Sequence, residues 1–246
     1  MPDADRPMRI FGDWFDWPRR ALALQFAGTV IVLGWMPGNG VKLLVMAVIW
    51  EIGFRRLTAR ELVAGAVLNL LFVAMDVGAL RHGIFSFSHA DFLGLPAFEF
   101  FMWGFYVLHA VRFLKAAPAS PPKIVLALIL AVAFSAPFSL TEGSTLLSAA
   151  GCVLLVSLIF FHEPMDVACT AYMAAMGAVV EYVGVGTGQW FYPDPPPGGV
   201  PWWSFVMWAG IGLFSRRLIV PALGTSPGAG IFAAAAGRDA RRAISR

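Results

Sequence analysis

Acidic side chains interrupt the apolar runs of this sequence at only a few places, and these residues carry its most specific chemistry. They are Glu51, Asp76, Glu99 and Glu181. A carboxyl group inside a membrane is costly, so each is expected to face a cavity or a partner. A carboxylic acid that keeps its proton in such a place can act as a general acid. The pattern therefore predicts proton donation in an apolar environment; the alternative is that these acids only bond neighbouring helices or pair with an arginine.

Two residues are candidate supports for this chemistry. Glu51 lies four residues before Arg55, a spacing that also suits a structural ion pair on one helix face. His82 follows Asp76 in the next loop and is positioned to tune that carboxyl. The predicted catalytic residues are Asp76, Glu99 and Glu181.

An internal repeat puts two of the acids in equivalent positions. Residues 76–112 and 181–217 align without a gap at an offset of 105 positions. Glu99 aligns with Ser204, so the halves differ, which leaves room for a catalytic centre in one half only. The matches fall on residues with specific roles, namely Asp76/Glu181, Gly83/Gly188, Phe85/Trp190, Phe87/Tyr192, Gly94/Gly199, Pro96/Pro201, Trp103/Trp208 and Arg112/Arg217.

Each copy predicts a helix with a carboxylate near its outer end, an aromatic loop, and a Gly-x-Pro turn that starts an aromatic-rich helix. The loops are long and aromatic enough to fold back as a lid over a cavity. Such rings are usually interface anchors in membrane proteins, but beside an acid they can shelter a carbocation by cation–π attraction. Glu99, four residues before Trp103, shares its helix face. The predicted lining residues are Phe85, Phe87, Trp103, Trp190, Tyr192 and Trp208.

The sequence predicts no metal site and no cofactor. His162, Glu163 and Asp166 lie in an HEPMD segment, but the HExxH spacing of zinc sites is absent. A helix-capping role for Asp166 is the simpler interpretation. Arg112 and Arg217 are interpreted as anchors at helix ends whose guanidinium groups reach the lipid headgroups.

The composition predicts an integral membrane protein. Of the 246 residues, 59% are hydrophobic and 13% charged, and the mean hydropathy is +0.72. Soluble domains average about 45–50% apolar and about 25% charged residues. A net charge of +3 is too small to indicate nucleic acid as a partner.

Runs bounded by charges, prolines and glycines predict eight membrane spans. They lie near residues 21–36, 41–54, 61–80, 96–114, 123–138, 144–161, 166–185 and 201–220. Basic residues gather before the first span, after the last and in alternate loops, whereas the opposite loops hold only Lys42 and Arg81. Positive charge prefers the cytoplasmic side, so both termini are predicted to be cytoplasmic, in the inner (plasma) membrane.

The predicted fold is all-α, a polytopic integral membrane helical bundle of two parallel four-helix repeats. Repeats separated by an even number of spans point the same way through the membrane, and sites often form between the halves. The predicted segments are a cytoplasmic N-terminal segment (1–20), a first membrane repeat (21–115), a linker (116–122), a second membrane repeat (123–221) and a basic cytoplasmic tail (222–246).

The first copy resembles the bacterial, archaeal and fungal lycopene cyclase domain. The second copy looks like the related carotenoid hydratase family, and the matches cover about a third of the chain. The chain departs from the cyclase pattern in having Glu99 alone where paired glutamates stand, and Phe85 where a tryptophan is expected. The matching elements are Asp76, the segment 81–87, Gly94-Leu95-Pro96 and Glu99 in the first copy, and Glu181, the segment 187–192, Gly199-Val200-Pro201 and Trp208 in the second.

The resemblance implies a cofactor-independent, acid-catalysed enzyme of cyclase or hydratase type, acting on an apolar isoprenoid or carotenoid-like lipid. A protonated acid would add H⁺ to a terminal alkene, the aromatic residues would shelter the cation, and ring closure or capture by water would follow. Two other classes stay open: a small-solute or ion transporter, and a non-catalytic membrane subunit that binds a lipid or pigment. Membrane lipid or isoprenoid is the expected partner, and a membrane-protein partner or a homo-oligomer is also left open.

Overall fold

The computed structural model describes residues 17–140 and 143–224, and most of them are helical. The segments predicted before residue 17 and after residue 224 lie outside this part of the chain. The helices are α1 (Trp17–Trp35), α2 (Asn39–Phe54), α3 (Ala59–Arg81), α4 (Glu99–Phe113), α5 (Ile124–Ser135), α6 (Pro137–Leu140), α7 (Gly143–Phe160), α8 (Pro164–Gly186), α9 (Trp202–Phe214), a π-helical turn (Ser215–Ile219) and α10 (Val220–Leu223). Two short strands, β1 (Ser86–Phe87) and β2 (Trp190–Phe191), pair with each other.

The helices follow the predicted spans closely, with three differences. The first begins at Trp17 instead of 21, so Arg19 and Arg20 lie within it. The fourth begins at Glu99 instead of 96, after the turn at Pro96. The predicted span 123–138 is divided after Ser135, because Pro137 has no amide hydrogen to continue the helical bonding pattern.

Within residues 17–140 and 143–224, three helices are long and apolar enough to cross a bilayer: Ala59–Arg81, Pro164–Gly186 and the combined segment Trp202–Leu223. A 23-residue helix rises about 34 Å at 1.5 Å per residue, against a hydrocarbon thickness of about 30 Å. Large apolar side chains also point outward; Leu70 and Val125 are each 73% exposed. Such an apolar exterior is typical of contact with lipid.

The backbone repeats at the offset found in the sequence. Helices α3 and α8 begin and end 105 residues apart. After each, a glycine adopts the same positive φ of 68°, which favours a residue without a Cβ. The bonds that close the two helices also match: the amide of Ile84 donates to Ala79 at 3.0 Å, and that of Gln189 donates to Gly184 at 2.8 Å.

The two strands join the halves at their centre. They pair antiparallel, with Ser86 opposite Phe191 and Phe87 opposite Trp190. Ser86 and Phe191 are themselves 105 positions apart, so this pair sits where an approximate two-fold axis between the halves must pass. The aromatic loops of both halves are therefore held over the same central point.

Buried ion pairs lie at the first turns of α3 and α8, at the ends opposite the aromatic loops. Thr58 and Glu61 form a capping box at the start of α3, and Glu61 accepts two 2.7 Å bonds from Arg112. Asp166, the equivalent of Glu61, completes the capping box of α8 and accepts bonds from Arg217, so its predicted capping role is observed.

The headgroup-anchor interpretation of Arg112 and Arg217 was wrong. The Arg112 side chain is 11% exposed and that of Arg217 is 3% exposed, and both bind carboxylates. The acids lie about 50 positions away in the chain, beyond the reach of helix-periodicity arguments. Arg216, next to Arg217, bonds Asp166 and Glu163 as well.

Candidate functional site

A cavity of about 60 Å³ lies at the centre of the molecule, where α3, α4, α8, α9 and the two aromatic loops meet. All nine residues predicted to be catalytic or substrate-binding line it, and they come from both halves of the chain. The lining residues are Asp76, Phe85, Phe87, Glu99, Met102, Trp103, Tyr106, Val180, Glu181, Trp190, Tyr192, Trp203, Met207 and Trp208.

Glu181 is the most firmly held of the three acids. Its Oε2 accepts hydrogen bonds from the Trp190 indole at 3.1 Å and the Tyr192 hydroxyl at 2.7 Å. Its Oε1 accepts a third from the Trp208 indole at 3.0 Å. Three donors on two oxygens fix the position of the carboxyl and suit it to carry negative charge.

Asp76 is held by a single donor, and that contact is duplicated in the other half. The Trp103 indole donates to Asp76 Oδ2 at 2.8 Å, across 27 positions of sequence. The Trp208 indole donates to Glu181 across the same separation. An indole–carboxyl bond between the third and fourth helices is therefore common to both halves. The other oxygen of Asp76 has no hydrogen-bond partner among the described residues.

Glu99 differs from both, because its buried carboxyl has no hydrogen-bond partner among the described residues. It faces the same cavity as the Tyr106 hydroxyl, which is also buried and unpartnered there. The counterpart of Glu99 is Ser204, whose hydroxyl is buried without a partner as well. The first half thus supplies a carboxyl whose oxygens have no hydrogen-bond partner among the described residues and can contact a bound molecule.

Aromatic rings enclose the carboxyl groups. The rings of Trp103 and Trp208 are 5.0 Å apart, and Tyr106 stands edge-on to Trp208 at the same distance. From the loop side, Tyr192 packs edge-on against Trp203 at 5.4 Å. Such π-faces attract a cation that forms between them.

Two glycines of α8 make room for the indoles that bind Glu181. A Cβ on Gly177 would lie 2.0 Å from the Trp208 ring, and one on Gly184 would lie 2.0 Å from Trp190. No larger residue fits at either position unless the indole moves. The glycines therefore let these rings lie against α8, beside the carboxyl that they bind.

The electrostatics of the cavity are dominated by its acids. No Lys, Arg or His is among the described residues that line it, while three carboxyl groups do. Like charges so close together in an apolar enclosure are strongly unfavourable, so the cluster retains at least one proton. In the loop above, burial raises the pKa of Tyr192 well above its ordinary value, so its hydroxyl remains a donor to Glu181. The site can therefore hold both a proton and negative charge beside an apolar ligand.

A second cavity of about 400 Å³ adjoins the first on the loop side. Tyr192 and Trp203 line both cavities, and the outer one also contacts His82 and Asp194. Its size is ample for water, for which about 10–15 Å³ per molecule is required. Tyr192 and Trp203 therefore form the partition between a polar vestibule and the carboxyl cluster.

The two predicted supporting residues do not reach the cluster. Glu51 is exposed on α2 and forms no ion pair with Arg55 in the part of the chain that is described; only the Arg55 amide contacts the Glu51 carbonyl. His82 ends α3 and is exposed toward the outer cavity, so it is not a direct partner of Asp76.

The HEPMD segment has a structural role in the described residues. The ring of His162 contacts the Ile159 carbonyl, whereas Glu163 and Asp166 bind arginines. Within residues 17–140 and 143–224, no group of three or more His, Cys, Asp or Glu side chains is arranged to bind a metal ion.

Sequence reasoning missed Tyr106, although a signal for it existed. Tyr106 follows Glu99 by seven residues and Trp103 by three, so helical periodicity predicts that all three share a face. Trp203, in the first turn of α9, lines both cavities. Met102 and Met207 are identical residues 105 positions apart, each next to a tryptophan that binds a carboxyl, so the repeat held a signal for them as well.

Comparison with protein-family models, with curated proteins and with solved structures finds no match to this chain. The features that bear on its function are the cavity, its carboxyl groups and the duplicated frame that positions them.

Proposed function

We propose that this protein is a membrane enzyme that uses carboxylic acids, without a cofactor, to protonate an alkene of an apolar isoprenoid or carotenoid-like lipid. One observation carries the proposal: three buried carboxyl groups share one aromatic-lined cavity, and one of them has no competing hydrogen bond. The resemblance of the two repeats to lycopene cyclase and carotenoid hydratase patterns points to the same chemistry.

Glu99 is the proton donor in this proposal. Its proton has no acceptor among the described protein groups, so it is available to a carbon atom that enters the cavity. Addition of H⁺ to one alkene carbon leaves a tertiary carbocation on the other, and that cation faces the rings of Trp103 and Trp208. Glu181, fixed by three donors, supplies the opposing negative charge.

Asp76 completes the cycle as the proton acceptor. In ring closure, a second alkene of the same molecule attacks the cation, and loss of H⁺ to the free oxygen of Asp76 restores a neutral product. In hydration, water attacks the cation and gives up H⁺ to the same oxygen. The outer cavity beyond Tyr192 and Trp203 is the source of that water. Either route leaves one proton gained and one lost by the carboxyl cluster.

The cavity volume limits what part of the substrate reacts inside it. About 60 Å³ admits a few water molecules or the end of a hydrocarbon chain, but not a whole carotenoid. We therefore propose that one end group enters the cluster while the rest of the chain lies elsewhere on the protein.

We also propose that the chain crosses the plasma membrane eight times as two parallel four-helix repeats, with α5 and α6 together forming the fifth span. The equal offset of helices, caps and indole–carboxyl bonds supports the repeat. The basic residues near Arg56, Arg112 and Arg217 lie at the helix ends opposite the aromatic loops, which supports a cytoplasmic location for those ends and for both termini.

The test is conversion of an acyclic polyene, such as lycopene, by the purified protein in lipid nanodiscs made with D₂O buffer. We expect a cyclised or hydrated product that carries one deuterium, detected by mass spectrometry. Glu99→Gln is expected to lower the rate about 10²- to 10⁴-fold, because general acid catalysis contributes about that much. Glu51→Gln removes an exposed acid outside the cavity and is the matched control.

Full turnover in Glu99→Gln, Asp76→Asn and Glu181→Gln alike would sink the mechanism. Absence of turnover together with carboxylate-dependent cation or proton flux in vesicles would favour the transporter class. A pigment or lipid that stays bound and unchanged would favour the non-catalytic class.

A further inference from the structure

An apolar groove of about 120 Å³ lies on the side of the molecule where α3 faces α5, α6 and α9. Its wall includes Leu71 and Met75 of α3, Phe134 of α5 and Ile211 of α9. Among the described residues that line it, Ser135 and Ser215 are the only polar ones, and none is charged. The groove therefore suits a hydrocarbon and offers nothing to a charged headgroup.

The same position in the other half of the molecule is filled. Leu71, at the groove, is 54% exposed, whereas its counterpart Met176 on α8 is 3% exposed. Met75, also at the groove, is partly exposed, whereas its counterpart Val180 on α8 is 3% exposed. The groove is therefore a departure from the repeat and not a consequence of the common scaffold.

Polar contacts explain why the first half is closed. On α1, Gln25 bonds to the Trp50 carbonyl and to His109, and Thr29 accepts from the Trp50 indole. His109 lies 2.8 Å from the Tyr172 hydroxyl of α8. These bonds tie α1 to α2, α4 and α8.

In the second half the five equivalent residues are all apolar, so their side chains cannot form these hydrogen bonds. Within a membrane, apolar packing gives little preference for helix–helix over helix–lipid contact, whereas hydrogen bonds hold helices together. Helix α5 is therefore free to part from α3 more easily than α1 is from α8. The apolar replacements of Gln25, Thr29, Trp50, His109 and Tyr172 are Leu130, Phe134, Leu155, Phe214 and Val67.

Two helix irregularities border the groove. The break between α5 and α6 lies at Ala136, beside groove residues Ser135 and Phe138. The π-helical turn, where the Val220 amide donates to the Ser215 carbonyl, contributes Ser215 to the wall. The first half has an unbroken α1 and a regular α4 at these places. Turns of π-helix are frequent at functional sites.

The groove and the central cavity are separated by one shared wall residue, Met207. Phe72 of the groove wall stacks on Trp103, whose indole holds Asp76. Because methionine is flexible, a change in the Met207 side chain can join the two spaces.

We propose that this groove binds the hydrocarbon chain of an isoprenoid that enters sideways from the bilayer between α3 and α5, with its reacting end passing Met207 into the cluster. The inference rests on the proposed function for the identity of the chain. It explains how a cavity that admits only one end group serves a much longer substrate. The equivalent position in the first half is filled by buried side chains, so the isoprenoid chain enters from the side of the second half.

The test uses a C20 isoprenoid hydrocarbon that carries a photoreactive diazirine, added to the full-length protein in nanodiscs. We expect crosslinks on the α3 and α9 segments that line the groove, and competition by unlabelled lycopene. Leu71→Trp should fill the groove and lower crosslinking at least 10-fold. Leu70→Trp, on the neighbouring lipid-facing position, should leave it unchanged and is the matched control.

Equal labelling in Leu71→Trp and Leu70→Trp would contradict the proposal that the groove binds the isoprenoid chain, even if the enzyme turns over. Equal labelling by a diazirine carried on a phospholipid acyl chain would also overturn it, because the groove would then hold ordinary membrane lipid. Groove-specific labelling of a wild-type protein that shows no turnover would keep the binding site and reject the catalytic proposal instead.

Discussion

The two halves of this protein share a frame but differ in how that frame is held. Both halves have a capped helix with a buried arginine at one end and an indole-bound carboxyl at the other. In the first half a hydrogen-bonded network around His109 fixes the outer helix, whereas in the second half apolar packing holds it. The two copies therefore keep the same caps and indole–carboxyl bonds, but only the first copy has the hydrogen-bonded network that holds its outer helix against the neighbouring helices.

The acids of the central cavity have diverged in the same way. Glu181 has three donors, Asp76 has one, and Glu99 corresponds to a serine in the other copy. Divergence at equivalent sites gives neighbouring carboxyl groups different environments, and different environments separate acid from base roles. In the proposed mechanism, this asymmetry allows one cavity to contain both a donor and an acceptor of protons.

The largest expected effect comes from the ion clusters at the helix ends. Asp166 is fully buried and binds two arginines, whereas its counterpart Glu61 binds one. Asp166→Ala leaves two buried cations without that partner, and we expect a loss of about 3–5 kcal/mol in the free energy of unfolding. Glu61→Ala should cost less. Thermal and denaturant unfolding in one detergent would compare them, and an equal loss would contradict the difference between the halves.

A middle-sized effect is expected when the closed half is made to resemble the open one. His109→Phe introduces the residue found at the equivalent position 214 and removes the contacts to Gln25 and Tyr172. We expect a loss of about 1–3 kcal/mol, since two hydrogen-bonding groups lose a partner. Hydrogen exchange should rise in α1. Phe113→Leu, one turn along α4, is a control for ring packing alone. Faster hydrogen exchange of α1 in Phe113→Leu but not in His109→Phe would contradict the role of the network.

The smallest expected effect is the pH dependence of stability that Glu163 adds in the second half. A hydrogen bond from Arg216 holds the pKa of Glu163 below its ordinary value of 4.5. A depressed folded-state pKa stabilises the protein above the unfolded value, and that stability is lost as the pH falls through the folded value. Because Glu163 is partly exposed, the effect is small. Its counterpart Thr58 does not titrate, so Glu163→Thr should flatten the fall in stability below pH 4.5, as followed by thermal unfolding. An unchanged acid profile would contradict this assignment.

Much of the helical frame was predictable, because spacing within a helix is a local property. The 105-residue offset and the apolar runs anticipated the bounds of α3 and α8 within about two residues. All nine predicted catalytic and lining residues line one cavity in the structure. The periodicity of α4 also contained the signal for Tyr106. The number of membrane crossings, the domain limits and the orientation remain predictions.

What the sequence alone determined was the set of helices, their duplication, and the pairing of acids with aromatic residues, since each follows from order along the chain. Only the tertiary structure decided that Asp76, Glu99 and Glu181 converge, because they come from three helices in two halves. It alone turned Arg112 and Arg217 from expected surface anchors into buried partners of acids. The tertiary structure also showed that the groove is present in the second half and filled in the first. Hydrogen bonds and gaps between helices depend on distances in space, which residue spacing along the chain does not give.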